Sequence, residues 1–438
     1  MTNKKKKVLI ITYYWPPSGG IGVLRCLKIA KYLRDFGWEP IIYTAKDAHY
    51  PSIDHSNDKD IPEQVTVLKG PIWEPHALYK KITGKKKDAN VNNVFYVNEE
   101  KVGFLHQFSI WVRSNFFIPD ARAFWVKPSV KFLVDYLKDN PVDALLTDGP
   151  PHTNTRIATL VKQKTGTPWL ADFQDPWTQV DYYQLLKLMP WADRKHHRLE
   201  QEAFKTADKT TIVSQTWKKD LEEIGAHNVS VINWGFDPED FLFNSFEVAD
   251  RFSFVHAGIM GPDRNPVTFF QVLQELKREI PGFSADLEIK LIGQVAHEVK
   301  QDLIKHQLLE NVNLVGSVPR QEALRLICSA PVLLLLLNQQ KNAAGRIPGK
   351  FFEYLAAKRP ILNFGPAKSD VGAILAHTKG GTNCTYTDRE AIKKNILNLY
   401  QEFKAGQLQK PLDTDLTAYS IRNLTGQIAD FLNEISAD

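Results

Sequence analysis

The sequence predicts an α/β protein made of two doubly wound units, each a parallel sheet covered by helices. Three observations carry that prediction. Apolar runs of strand length, such as residues 8–14 (VLIITYY) and 330–337 (APVLLLLL), lack the in–out alternation of a one-sided sheet. They read as parallel strands buried on both faces. These runs alternate with helix-length segments of 3.6-residue apolar period, the rhythm of βα units. A polar stretch with Gly and Pro, residues 233–240 (NWGFDPED), divides the 438 residues into two portions of domain size.

Taken in order, residues 8–14 form a first strand running into the turn-rich loop WPPSGGIG, which carries Gly19 and Gly20. A helix over 23–36 and a strand over 40–44 follow. A strand, a glycine loop and a helix invite a dinucleotide reading. The glycine spacing is not GxGxxG, however, and no acidic residue closes the second strand. The loop either lets backbone approach a phosphate or sugar, or is a tight turn with no ligand.

Residues 46–122 read as an irregular insertion. It joins a basic tract, Lys85 to Lys87, to an aromatic stretch with Phe108, Trp111 and Phe116. Such a pairing is a candidate for peripheral membrane contact, against the alternative that its aromatics pack on the core. Alternation resumes with a helix over 126–138, a strand over 144–147, a loop ending at His152, a helix over 153–164 and a strand over 169–173. His152, Asp172 and Asp175 thereby fall at the carboxyl ends of strands, the edge where open α/β sheets bind ligands. Singly, His152 reads as a loop histidine and Asp175, before Pro176, as a turn former.

The second half repeats the pattern more cleanly. A strand over 252–256 leads to a loop holding Gly258 and Arg264, and further βα units reach the run at 330–337. After a loop with Arg346, Pro348 opens a helix whose first turn holds Lys350, with Glu353 three residues on. A cation beside the unpaired amides of a helix N-terminus suits a pyrophosphate, and a carboxylate one turn away suits ribose hydroxyls. The plainer reading is a surface Lys–Glu pair. The domains expected are 1–235 and 236–410, with a last helix in 411–438 that packs back on the first.

Composition excludes some classes. With 43% hydrophobic and 24% charged residues the chain is of ordinary soluble type. A net charge of +5, without a basic stripe interleaved with aromatics, does not argue for nucleic acid. The isolated Cys26, Cys328 and Cys384 show no metal or redox spacing. No apolar run is long enough to span a bilayer and no secretory signal is legible, so the cytoplasm or the cytoplasmic face of the inner membrane is expected.

The motifs together resemble those of family-4 glycosyltransferases, which have the GT-B architecture of two Rossmann-like domains facing a central cleft. The resemblance rests on Tyr14-Trp15-Pro16-Pro17 with Gly19-Gly20, Gly149-Pro150-Pro151-His152, Ala171 to Trp177, Asn233 to Asp237, His256-Ala257-Gly258 with Arg264, and Pro348-Gly349-Lys350 with Glu353-Tyr354-Leu355-Ala356. It implies retaining, metal-independent transfer of a sugar from a nucleoside diphosphate sugar, UDP or GDP being the expected carriers, with no cofactor. The acceptor expected is a saccharide or lipid-linked saccharide in surface polysaccharide or glycolipid synthesis, the lipid link being suggested by the basic and aromatic insertion. Arg264, Arg346 and Lys350 would stabilise the diphosphate, Glu353 would grip the ribose, and Gly19, Gly20 and Gly258 would let backbone approach. His152 with Asp172 or Asp175 would position the sugar or accept the acceptor's proton. Two positions depart from the family pattern. Gly345 stands where the family carries a glutamate, and Ile259 where it carries an arginine, with Arg264 in the place of its lysine. The rival readings are a nucleotide-sugar epimerase and a non-catalytic nucleotide- or partner-binding member of the fold.

Overall fold

The computed structural model describes residues 5–50, 52–74, 104–243 and 247–437. The chain divides into two compact units, Met1–Trp234 with Ile421–Asp438, and Gly235–Ser420.

The first unit holds a parallel sheet of β1 (Lys6–Ile11), β2 (Trp38–Lys46), β3 (Thr66–Pro71), β4 (Ala144–Gly149), β5 (Trp169–Phe173), β6 (Lys209–Ile212) and β7 (Val229–Val231). Their spatial order is β3-β2-β1-β4-β5-β6-β7, so the winding direction reverses between β1 and β4. Its helices of eight residues or more, apart from the last in the chain, are α1 (Ile21–Leu33), α2 (Phe104–Phe116), α3 (Val126–Asp139), α4 (His152–Thr165), α5 (Pro190–Thr206) and α6 (Gln215–Glu223). The unalternating apolar strands are explained by two-sided burial. Val8 and Ile10 of β1 pack with α1, while Leu9 and Ile11 point into the opposite core with Trp125 and Leu133.

The second unit holds β8 (Phe252–Ala257), β9 (Leu287–Ile292), β10 (Val312–Gly316), β11 (Val332–Leu336), β12 (Ile361–Phe364) and β13 (Gly381–Cys384). The order is β10-β9-β8-β11-β12-β13, again parallel, with its reversal between β8 and β11. The corresponding helices are α7 (Val267–Glu279), α8 (His297–Lys305), α9 (Arg320–Cys328), α10 (Gly349–Ala356), α11 (Asp370–Thr378) and α12 (Arg389–Lys404). Every residue of β11 is buried, as a central strand between two helical layers requires.

The last helix, α13 (Ile421–Ile435), returns to the first unit, where Leu424, Ile428 and Leu432 pack against Leu27 and Ala30 of α1. It starts at Ile421; the residues before it, Thr417–Tyr419, make only a turn of 3-10 helix. The segment 46–122 is more regular than its sequence suggests: it contains the edge strand β3 and the helix α2. The Lys85 to Lys87 tract lies outside the described residues. All three cysteines are buried, free thiols. Among the described residues no helix is long and apolar enough to cross a membrane.

Candidate active site

The switch point of the second sheet gathers the candidate donor residues. Ala257 ends β8, and the chain turns through Gly258 at φ 121°, a conformation that side chains rarely adopt. A Cβ on Gly258 would lie 3.1 Å from the Lys350 ammonium, so the lysine packs directly over this turn. The neighbouring turn after β9 presses equally close: a Cβ on Gly293 would meet the Gly258 carbonyl oxygen at 2.6 Å.

Lys350 is the second residue of α10, whose N-cap residue, Pro348, makes no side-chain cap; the Phe351 amide donates to the Pro348 carbonyl at 2.9 Å, leaving the amides of Gly349 and Lys350 for other acceptors. Its Nζ donates to the Ala257 carbonyl at 3.0 Å and lies 3.4 Å from His256 Nε2. His256 is wholly buried in β8, and its Nδ1 is 3.0 Å from the Leu334 carbonyl. A carbonyl only accepts, so Nδ1 carries the proton and Nε2 accepts from the lysine. Burial, then the Lys350 charge, hold His256 well below the ordinary histidine range, so the imidazole is neutral. Burial, reinforced by Arg264, lowers Lys350 to about 7. An ammonium so poorly compensated gains from an anion more than a solvated one does. Arg264 itself is clamped by its neighbour Asp263, with Nη2 to Oδ2 at 2.9 Å. The Tyr354 hydroxyl, one turn further along α10, takes the Ala257 amide at 2.7 Å and fixes α10 against the end of β8.

Glu353 does not stand as a free carboxylate. Its Oε1 accepts from Arg320 Nη2 at 2.8 Å, and Arg320 Nη1 binds Asp240 at 3.0 Å. The i,i+3 Lys350–Glu353 pair of the plainer sequence reading is therefore not the contact made. Arg346 and Gly345 lie in the loop before α10, Gly345 buried and Arg346 partly exposed.

The switch point of the first sheet is closed. Asp148, at the end of β4 and wholly buried, accepts from Thr12 at 3.1 Å and Asn154 at 2.9 Å. Burial pushes its carboxyl up to about 7. Asp172 in β5 is gripped by Arg25 through Nε at 2.5 Å and Nη2 at 2.8 Å, and its Oδ1 also accepts from Thr211 at 2.6 Å. That pairing engages both oxygens, so the expected role for Asp172 as proton acceptor gives way to that of an internal counter-ion for Arg25. His152, the first residue of α4, is buried with its ring stacked on Trp177 at 4.6 Å, and its Nδ1 has no hydrogen-bond partner. Burial lowers it to about 3, so it too is neutral. Asp175 is partly exposed at the loop after β5. Gly19 is committed internally: its amide donates to Ser52 at 2.8 Å, and a Cβ would strike Ser52 Oγ at 2.6 Å. Gly20, at φ 83° before α1, is open around its Cα.

Sequence reasoning missed His256 as a partner of Lys350, and missed Arg320, Arg25 and Asp148. Only Arg25 left a local signal, a charge set among the apolar residues of a core-facing helix.

No family model matches this sequence, and no curated protein does either. Solved structures do. Sucrose-phosphate synthase from Thermosynechococcus elongatus matches with TM-score 0.57 at 12% identity, covering 99% of this chain and 96% of that one. TarM matches with TM-score 0.56 at 12% identity, covering 98% and 99%. The lipopolysaccharide outer core galactosyltransferase WaaB in its apo form matches with TM-score 0.55 at 11% identity, covering 97% and 99%. At such identities the likeness is one of architecture, and the architecture of this chain is the GT-B fold.

Proposed function

We propose that the protein is a retaining, metal-independent glycosyltransferase that takes a sugar from a UDP- or GDP-sugar and passes it to a saccharide or lipid-linked acceptor in surface polysaccharide or glycolipid synthesis. The observation that carries this reading is the Lys350 ammonium, held over the Gly258 turn at an uncapped helix N-terminus. Its depressed proton affinity marks a cation short of a counter-ion, where a diphosphate fits. Breaking the glycosidic bond develops negative charge on that diphosphate. Lys350, Arg264 and the α10 amides would stabilise it in place of a metal ion, with Arg346 beside them and Glu353 on the ribose. His152 would orient the sugar as a neutral hydrogen-bond partner, and Asp175 would accept the acceptor's proton. The solved relatives support the reading in kind: one is titled a galactosyltransferase and another a synthase of a phosphorylated sugar.

Calorimetry of wild type and Lys350→Ala with UDP, GDP and their sugar conjugates, without metal, tests it. Wild type should bind one base selectively, and the variant should bind at least tenfold more weakly, about 1.4 kcal/mol for one charge-assisted contact. Absence of binding by folded wild type would discard the reading. The epimerase alternative is favoured by one structural neighbour, titled a putative UDP-N-acetylglucosamine 2-epimerase, with TM-score 0.53. Interconversion of free donor without acceptor would select it. A lipid-linked acceptor is supported by exposed rings on the first unit, Phe108 and Phe116 on α2 with Trp191 beside them, about half exposed in each case. Flotation with anionic vesicles checks that part, and a protein that stays with the soluble fraction removes it.

A further inference from the structure

The pairing of Arg320 with Glu353 has no explanation in the diphosphate site alone. Arg320 opens α9, immediately after Pro319, and its guanidinium reaches two carboxylates on different elements. Asp240 is the fixed end. It is 2% exposed, and its amide is tied to the Asp237 carbonyl at 3.0 Å in the short helix Pro238–Phe241. Glu353 is the accessible end, on the second turn of α10, one turn beyond Lys350 and with its side chain 20% exposed. A two-armed planar fork between such partners sets direction as well as charge. It pins one oxygen of Glu353 and, among the described residues, leaves Oε2 without a hydrogen bond. One guanidinium against two carboxylates also offsets part of the negative charge that would otherwise oppose a phosphate-bearing ligand one helical turn away.

We infer that Arg320 is a positioning residue: it holds Glu353 as an oriented acceptor for a vicinal diol, so that the site selects ribonucleotides over 2′-deoxyribonucleotides. The inference rests on the donor-site reading above. A carboxylate has only acceptors to offer, so its natural complement is a pair of hydroxyl donors. The side chain that would recognise a ribose is already locked in place before the nucleotide arrives, and the cost of ordering it is met in folding. A lysine at the same place would carry the same charge but could not bridge both carboxylates in one plane.

The experiment is calorimetric titration of wild type, Arg320→Met and Arg320→Lys with UDP and GDP and with their 2′-deoxy counterparts. Wild type should bind the ribonucleotide about tenfold more tightly than its deoxy form, the effect of one hydrogen bond to a partly exposed charged group. Arg320→Met should lose that preference by weakening the ribonucleotide alone, because the phosphate contacts at Lys350 are untouched. Arg320→Lys, which keeps the charge and spares the fold, should lose most of it too. Equal affinity of wild type for both sugars overturns the inference and leaves the nucleotide site standing. So does an equal loss for both sugars in Arg320→Met, which would make the arginine a framework residue. Tighter ribonucleotide binding by Arg320→Met would show that the arginine competes for Glu353, and also overturns it. No nucleotide binding by wild type removes the donor reading and this inference together.

Discussion

The two sheets reverse direction at equivalent places, β1/β4 and β8/β11, yet fill those places differently. At the first, Arg25, Asp148 and Asp172 are each at most 3% exposed, and the arginine spends its donors on Asp172 and on the carbonyls of Ile232 and Asn233. At the second, Lys350 and Glu353 are partly exposed, and the helix that carries them begins without a side-chain cap. One crevice is sealed by ions that satisfy one another. The other keeps the Lys350 ammonium, whose contacts among the described residues are a carbonyl and a neutral imidazole. Compensation of charge is thus what separates two crevices that the topology makes alike.

The largest effect should come from unsealing the first crevice. Asp172→Ala leaves Arg25 buried and unpaired, and should lower the unfolding free energy by about 3–5 kcal/mol in denaturant titration. The corresponding truncation at the second, Lys350→Ala, should leave stability within about 1 kcal/mol of wild type, because it removes a charge that burial already disfavours. Equal costs at the two places would erase the contrast.

A smaller effect separates the crevices by pH. The folded protein holds a proton on Asp148 up to about 7, whereas the unfolded carboxyl gives it up near 3.8. Between those values the folded state binds the extra proton, so this group's contribution to stability is present below pH 4 and fades as pH rises to 7. Asp148→Asn should remove that decline and stabilise the protein at pH 8 by a few kcal/mol, at about 1.4 kcal/mol per pH unit. Thermal or denaturant unfolding across pH 4 to 8 reads it.

The smallest effect belongs to the open crevice. Lys350 titrates near 7 without a ligand, and a bound diphosphate would raise that value. Nucleotide affinity should therefore fall as pH increases above 7, by at most tenfold per unit, with proton uptake on binding near neutrality. Affinity flat from pH 6.5 to 8.5 would show that Lys350 does not meet the phosphates.

The sequence made the architecture legible because two-sided burial writes itself into adjacent residues. β11 shows this, with its unbroken leucines. The edge strand β3 was not legible, because half-exposed TVLKGP carries neither alternation nor a full apolar run. Nor were the partners of the charged candidates. Asp172 and Arg25 are separated by 147 positions and Glu353 and Arg320 by 33, and nothing local in either residue announces the other. Candidate residues were therefore easier to find than their states. Asp172 reads as a free carboxylate until Arg25 is placed beside it.

The return of α13 to the first unit has a consequence for how the chain is made. The second unit is continuous from Gly235 to Ser420, so all of it is translated before α13. The first unit, begun earlier, must wait for Leu424, Ile428 and Leu432 to cover α1. Until then Leu27 and Ala30 present a greasy stripe to the cell. Here the half that is translated first is the last to be finished, the reverse of the usual N-to-C order of domain folding.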